Sequence, residues 1–375
     1  MFAESSQPAG TVTDFVDFWA ASRLLLNGGN PFSPREVLEL QRTVGYRDSK
    51  PLLMWNPPWT LSFILPFGAL PYLPSQLLWL IVHVLFILIS VQKLWAIYSQ
   101  KKQKSYLPLV VTLTFFPCWF VVLLGQISPL VLLGIVGFLH FEKKRNDFIA
   151  GLTISLISVK PHLIYLFWIG ILFWILHQRR WMIAVGAIAA GSIVATLPAI
   201  IDPAVYAQFI EMYRNPGRTT PFDLPAPSLG SLLTLLVPHS NFPIQFLPPF
   251  LSICWLGRYW AHHKGCWDWA EQMPILVLVS LTMSAYAWTY DYVVLLPAVV
   301  QGLVYAIHGP PGRAWYRNWA VVLYGIINGL HLSLRFVLFS DYYFFWYAPA
   351  LLVTYLGVRA TPAKLIQPGS PSFSN

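Results

Sequence analysis

Residues 181–201 read WMIAVGAIAAGSIVATLPAII, an apolar run without a single charged side chain. A helix crossing the hydrocarbon core of a bilayer needs about 20 such residues, so this stretch alone places the chain in a membrane. Runs of the same kind recur on both sides of it from about residue 58 onward. The chain of 375 residues is 56% hydrophobic and only 10% charged, against roughly 25% charged in soluble domains. The runs are continuous rather than alternating, which excludes a membrane β-barrel. The expected fold is therefore an all-α polytopic membrane protein. Candidate spans fall at roughly 75–98, 106–124, 126–140, 147–160, 161–177, 181–201, 244–262, 271–286, 288–307, 316–337 and 343–359, about eleven in all by this length criterion. The apolar piece from Trp59 to Leu70 is too short to span and reads as a re-entrant or interfacial helix. The remaining divisions are an N-terminal external region over 1–57, a membrane core over 58–360 interrupted by a long loop at 202–243, and a tail over 361–375.

The net charge of +9 is spread over short loops, which fits control of topology and excludes nucleic acid as a partner. Lys101, Lys102 and Lys104, then Lys143, Lys144 and Arg145, then Arg179 and Arg180, Arg258 and Lys264, Arg313 and Arg317, and finally Arg359 and Lys364 occupy alternate loops. Basic loops stay cytoplasmic, so the N-terminal region and the 202–243 loop are predicted outside. Asp14, Asp17, Gln126, Lys160, His162, Arg214, Arg218, Asp223, Asp291, Arg335 and Asp341 all fall at or near that outer face. Their convergence suggests a polar cavity opening outward. Cys118, Cys254 and Cys266 show no metal-ligand spacing, and Cys118 and Cys254 read as small core residues. No metal site is expected. Met1–Gly10 is polar, so no cleavable signal peptide is expected.

Within the outer face, Thr11–Pro34 reads TVTDFVDFWAASRLLLNGGNPFSP. If it is helical, Asp14, Asp17 and Phe18 share one face, and two carboxylates beside Phe15, Phe18 and Trp19 make an acid/base site. Gly125-Gln126-Ile127-Ser128-Pro129 either turns one helix into the next or holds a polar amide at the outer face. Lys160, before Pro161 and His162, either snorkels at a helix end or binds a phosphate as a point charge. Pro203–Tyr213 is amphipathic, with Tyr206, Phe209, Ile210 and Tyr213 on one face, and Arg214 and Arg218 follow. That pattern suits either plain packing on the membrane surface or capture of an anionic lipid headgroup. Asp291, after Trp288, either caps a helix or belongs to the site.

Taken in order, these motifs resemble the polyprenol-phosphate-mannose-dependent mannosyltransferases of glycosyltransferase family 87, in the GT-C superfamily. The resemblance rests on Asp14–Phe32, on Trp55-Asn56-Pro57-Pro58 with the prolines through Pro74, on Gly125–Ser128, on Ala150-Gly151-Leu152 leading to Lys160-Pro161, on Ser228-Leu229-Gly230, and on Ser284–Pro297. It implies a membrane glycosyltransferase of GT-C type in a bacterial plasma membrane, acting on the extracytoplasmic side. The donor would be a polyprenyl-phosphate hexose, mannose by the family's usage, and the acceptor a lipid or glycan; no further cofactor is implied. Asp14 matches the family's general base, with Asp17 as the alternative. Lys160, Arg214, Arg218, Gln126 and His162 would hold the donor's phosphate and lipid, and Trp19, Trp55, Asn56, Trp288 and Asp291 would line the pocket. The family places a transmembrane helix before its first external loop, whereas Asp14 lies about 13 residues from the start of this sequence. Either the start is truncated or misannotated and an anchoring helix lies upstream, or the loop is unanchored at its N-terminus. Two other readings stay open: a transporter or flippase for lipid-linked saccharides, which would favour inverted repeats and broken helices at the midplane, and a non-catalytic relative.

Overall fold

A computed structural model describes residues 13–99, 105–214, 225–237, 243–308, 314–338 and 340–359, and the described residues are helical with no strand. Arg218 and Asp223 lie outside them. The N-terminal region contributes α1 (Phe15–Leu26) and α2 (Pro34–Thr43), followed by the short α3 (Leu61–Gly68). The membrane body starts with α4 (Tyr72–Ser99), α5 (Leu107–Thr114), α6 (Phe116–Leu124), α7 (Ser128–Lys143), α8 (Asp147–Ile157), α9 (Tyr165–Gln178) and α10 (Trp181–Ile201). It continues through α11 (Val205–Arg214), α12 (Leu229–Leu236), α13 (Leu247–His263), α14 (Trp269–Thr282), α15 (Leu296–His308), α16 (Ala314–Arg335) and α17 (Tyr347–Arg359).

Helices occupy all the segments that read as spans, but fewer of them qualify as crossings. Among the described residues four are long and apolar enough: Tyr72–Ser99, Pro161–Gln178, Trp181–Ile201 and Thr289–Ile307. A fifth counts if α5 and α6, bent by 62° at their junction, are one broken span. The reason is local. Phe115 leaves the helical region between α5 and α6, and α8 and α14 are only 11 and 14 residues long. Apolar length measured along the sequence counts such breaks as span.

The surface of α4 shows how the body meets lipid. Leu77, Ile81, Leu85 and Ile89 are exposed at every fourth position, while Trp79, His83, Ile87 and Val91 form the buried stripe. Side chains four apart share a helix face, so one apolar helix presents one face to the core and the other outward. Hydropathy cannot separate the two. Cys254 illustrates the cost of that ambiguity: it reads as core in sequence but is exposed on α13, near Phe250 and Leu251. Similarly, Val205 and Met212 are the buried residues of α11, while Ile210 and Tyr213 are exposed.

α8 and α10 cross through Gly151 and Gly186, whose missing side chains let the two backbones meet. At the other end of the chain's polar loop, α12 is pinned by Ser228. Its hydroxyl accepts from Ser231 N and donates to Ala285 O at 3.0 Å, so one side chain caps α12 and ties it to the 284–292 turn. Ser228→Ala is expected to lower stability by about 1 kcal/mol, read as a drop in unfolding temperature of the purified protein.

Candidate active site

Asp14 stands at the start of α1, where its carboxylate makes no capping hydrogen bond. The aromatic residues that follow lock the helix down instead. Phe15 and Phe18 pack on Trp79 of α4 at ring separations of 5.1 and 5.7 Å, and the Trp79 indole donates to Gly125 O at 2.7 Å. Gly125 itself sits at φ +74, and a Cβ there would lie 2.9 Å from the Phe15 Cβ. A left-handed glycine is what lets the α6–α7 turn come close enough for the next residue, Gln126, to reach Asp14.

It does so directly. Gln126 Nε2 donates to Asp14 Oδ2 at 3.0 Å. Behind the amide, Lys160 Nζ donates to Gln126 Oε1 at 3.2 Å, to Ser128 Oγ at 3.2 Å and to Asp291 Oδ1 at 2.7 Å. Ser128 Oγ also donates to Asp291 Oδ1, and Trp288 N donates to Asp291 Oδ2 at 3.1 Å. Lys160 also lies 4.8 Å from the centre of the Tyr290 ring. These groups come from the starts of α1 and α7, from the residue before the 3₁₀ turn at Pro161–Ile164, and from the 3₁₀ turn at Thr289–Leu295. Helix starts carry partial positive charge, and several of them gather here around the carboxylates.

Gln126, Lys160 and Asp291 are all buried, with Lys160 and Asp291 only 7% and 1% exposed. Asp14 is half-buried. Among the described residues its Oδ1 has no hydrogen-bond partner, so one oxygen is anchored and the other is left over. Desolvation pushes the Asp14 carboxyl up from the usual range, opposed by the Gln126 hydrogen bond and the Lys160 charge, with Asp341 adding to the rise. Asp17 is buried one turn further on, and its Oδ1 has no partner. Burial first, and then the neighbouring Asp14 charge, hold its carboxyl well above the usual range. Of the pair, Asp17 is the carboxyl pushed further toward its neutral form.

The other sequence candidates lie around this cluster in different settings. Asn56 Nδ2 donates to Val159 O at 2.8 Å and Trp59 Nε1 to Ser158 O at 3.0 Å, clamping the backbone that presents Lys160. Trp288 takes part through its backbone N–H. Trp55 packs edge-on against Tyr213, and His162 stacks on Tyr286 at 4.5 Å. Trp19 is a core residue, donating from its indole to Leu70 O. Arg214 ends α11 and is exposed. Sequence reasoning missed Thr289, whose N–H and hydroxyl both donate to Asp341 Oδ2 while Arg335 pairs with Asp341 Oδ1. That second, partly buried ion pair steadies the turn carrying Asp291; Thr289 lies 52 residues from Asp341, and no local pattern announces the contact. Two cavities lined by described residues are built from side chains other than those of the cluster. One, of about 250 Å³, is lined by Phe63, Trp79, His83, Leu130 and their neighbours, and the other lies between α15, α16 and α17.

Compared with known proteins, the chain matches the family described as glycosyltransferase family 87 over residues 55–291. The matched span contains Asn56, Gln126, Ser128, Lys160 and Asp291 and begins after Asp14. No curated protein and no solved structure matches significantly.

Proposed function

The chain belongs to glycosyltransferase family 87, a family of membrane glycosyltransferases, and from that premise we propose that it transfers a hexose, mannose first among the candidates, from a polyprenyl-phosphate donor to a lipid or glycan acceptor, with Asp14 as general base. The observation that carries this reading is the state of the Asp14 carboxylate. Gln126 anchors Oδ2, and Oδ1 keeps its lone pairs for an acceptor hydroxyl. In the reaction, the acceptor oxygen attacks the anomeric carbon as the bond to the donor's phosphate oxygen breaks. The bonding pair leaves with the polyprenyl phosphate, the hydroxyl proton goes to Asp14 Oδ1, and the anomeric centre inverts. Asp14 is favoured over Asp17 because it is the more exposed of the two and accepts from the Gln126 amide. Arg214, Arg218 and His162 are the cations and donor left for the leaving phosphate, whose charge preorganised donors stabilise strongly.

Active-site placement on the extracytoplasmic face of a plasma membrane is part of the same proposal. It is supported by the basic side chains that gather at the opposite helix ends, where Lys143 donates to Ile97 O and Arg180 pairs with Asp147. An outward-opening path to Asp14 and a full GT-C complement of about eleven crossings belong to this reading too.

The test is incubation of the purified protein with labelled polyprenyl-phosphate hexoses and a membrane lipid extract. Transfer to an acceptor supports the reading. Movement of the label across a vesicle without transfer overturns it in favour of a transporter. The pH dependence follows from burial. Protonated Asp14 cannot accept a proton, so activity falls as pH falls through its pKa. Because desolvation raises that pKa, the acid limb of kcat/KM is expected above the ordinary aspartate value of about 3.9.

A further inference from the structure

We propose that Lys160, Gln126 and Asp291 are positioning residues for Asp14 and not ligands of the donor's phosphate. The proposal rests on Asp14 being the base, and it assigns to this buried hydrogen-bond chain the choice of which Asp14 oxygen reacts.

The argument starts from what an ammonium can do. Lysine has three N–H donors and no acceptor. In Lys160 all three are directed at protein oxygens, those of Gln126, Ser128 and Asp291, and the group is buried. A phosphate could take one of these hydrogens only by leaving a buried acceptor short, and an unpaired buried polar group is costly. The ion pair with Asp291, at 2.7 Å, is the hardest to surrender, since removing one partner strands the other's charge.

The direction of each bond then propagates outward. Because Lys160 can only donate, it must face the carbonyl oxygen of the Gln126 amide. The NH₂ end therefore points the other way, at Asp14 Oδ2. Without Lys160 the amide is free to flip and set its oxygen against the carboxylate. Asp291 fixes Lys160 in turn, and it is held by Ser128 and by the backbone N–H of Trp288. The chain runs through residues from four parts of the sequence, and its outer end is the only hydrogen bond to the Asp14 carboxylate among the described residues.

The ionisation of Asp14 follows the same chain. The groups acting on it are Gln126 and Lys160 from the chain and Asp341 from the 341–344 turn, while Asp17 from its own helix and Tyr46 and Tyr72 from the surrounding elements in turn feel the Asp14 charge. Of these, Gln126 and Lys160 favour the carboxylate. Losing either one moves the carboxyl further up.

Steady-state kinetics of Lys160→Met and Gln126→Leu separate positioning from phosphate binding. Each is expected to lower kcat roughly tenfold to a hundredfold, as misplacement of a catalytic group does, with donor KM little changed and the acid limb moved to higher pH. The two changes together are expected to be no worse than the more severe one alone, because they break one chain. A rise in donor KM of about tenfold or more with kcat and the acid limb unchanged would overturn the proposal. Lys160→Met strands Asp291, so Lys160→Met/Asp291→Asn, which removes both charges, is the folding control. It is expected to fold as wild type and to stay slow; wild-type turnover in it would also overturn the proposal. An infrared titration of the protonated carboxyl in nanodiscs, taken as the difference between proteins with and without Asp14→Asn, needs no turnover. Lys160→Met is expected to shift that signal to higher pH, and an unmoved signal counts against the chain. If the wild type transfers no sugar, this titration still decides the positioning claim while the reading of Asp14 as base fails by itself.

Discussion

Asp14→Asn is expected to lower sugar transfer by about 10²- to 10⁴-fold, the range that a general base contributes, or about 3–5 kcal/mol of transition-state stabilisation. The substitution changes little else. Asparagine has the shape of aspartate, and its side-chain oxygen can still accept from Gln126 Nε2, which donates to Oδ2 in the wild type. The start of α1 does not depend on the carboxylate, which makes no cap hydrogen bond there. The aromatic contacts of Phe15 and Phe18 with Trp79 remain. The loss should therefore fall on kcat, with donor KM and the unfolding temperature close to wild type. Asp17→Asn provides the comparison. Burial pushes the Asp17 carboxyl toward its neutral form, which an amide resembles, so this variant is expected to retain most activity. If the two variants exchange behaviour, Asp17 is the base and the assignment reverses.

The second large effect is structural. Gly151→Ala is expected to destabilise the membrane body by about 3 kcal/mol, the upper part of the usual cost of overpacking. A Cβ on Gly151 would lie 2.2 Å from Ile183 O and 2.9 Å from Ala187 N, both backbone atoms of α10. The reverse change, Gly186→Ala, would put a Cβ 2.2 Å from Phe148 O. No flexible side chain stands at either contact to absorb the methyl group, so the helices themselves must separate. Small residues at such crossings are how membrane helices approach closely. Gly191, further along α10, is open by contrast: a Cβ there would meet nothing within 4 Å. Gly191→Ala should be neutral or stabilising by up to about 1 kcal/mol through helix propensity. Thermal unfolding in detergent distinguishes the pair. Because α8 ends at Ile157, just before Lys160, Gly151→Ala should also slow transfer; activity unaffected at full destabilisation would separate the crossing from the site.

Much of this protein is legible without coordinates. The uncharged run from Trp181 to Ile201 forms one continuous helix as expected, and the order of motifs from Trp55 to Asp291 points to the family whose match covers those residues. Both are properties of the sequence taken locally: a bilayer selects for apolar length, and motifs are strings. The number of crossings is less legible, because the α5–α6 bend and the short helices are apolar as well. The same degeneracy hides which face of each helix meets lipid, and so misassigns Cys254.

The partners of the charged residues are beyond reach of any local reading. In sequence, Lys160 has no acid nearby and looks available to a phosphate, while Asp291 looks like a cap. In the folded chain Asp291 is a cap and an ion-pair partner at once, holding Trp288 N through one oxygen and Lys160 through the other, across 131 residues. Gln126 reaches Asp14 across 112. A buried charge must find its counterion somewhere, which makes pairing predictable in kind. Which counterion it finds depends on how the helix ends are brought together, and only the tertiary structure decides that.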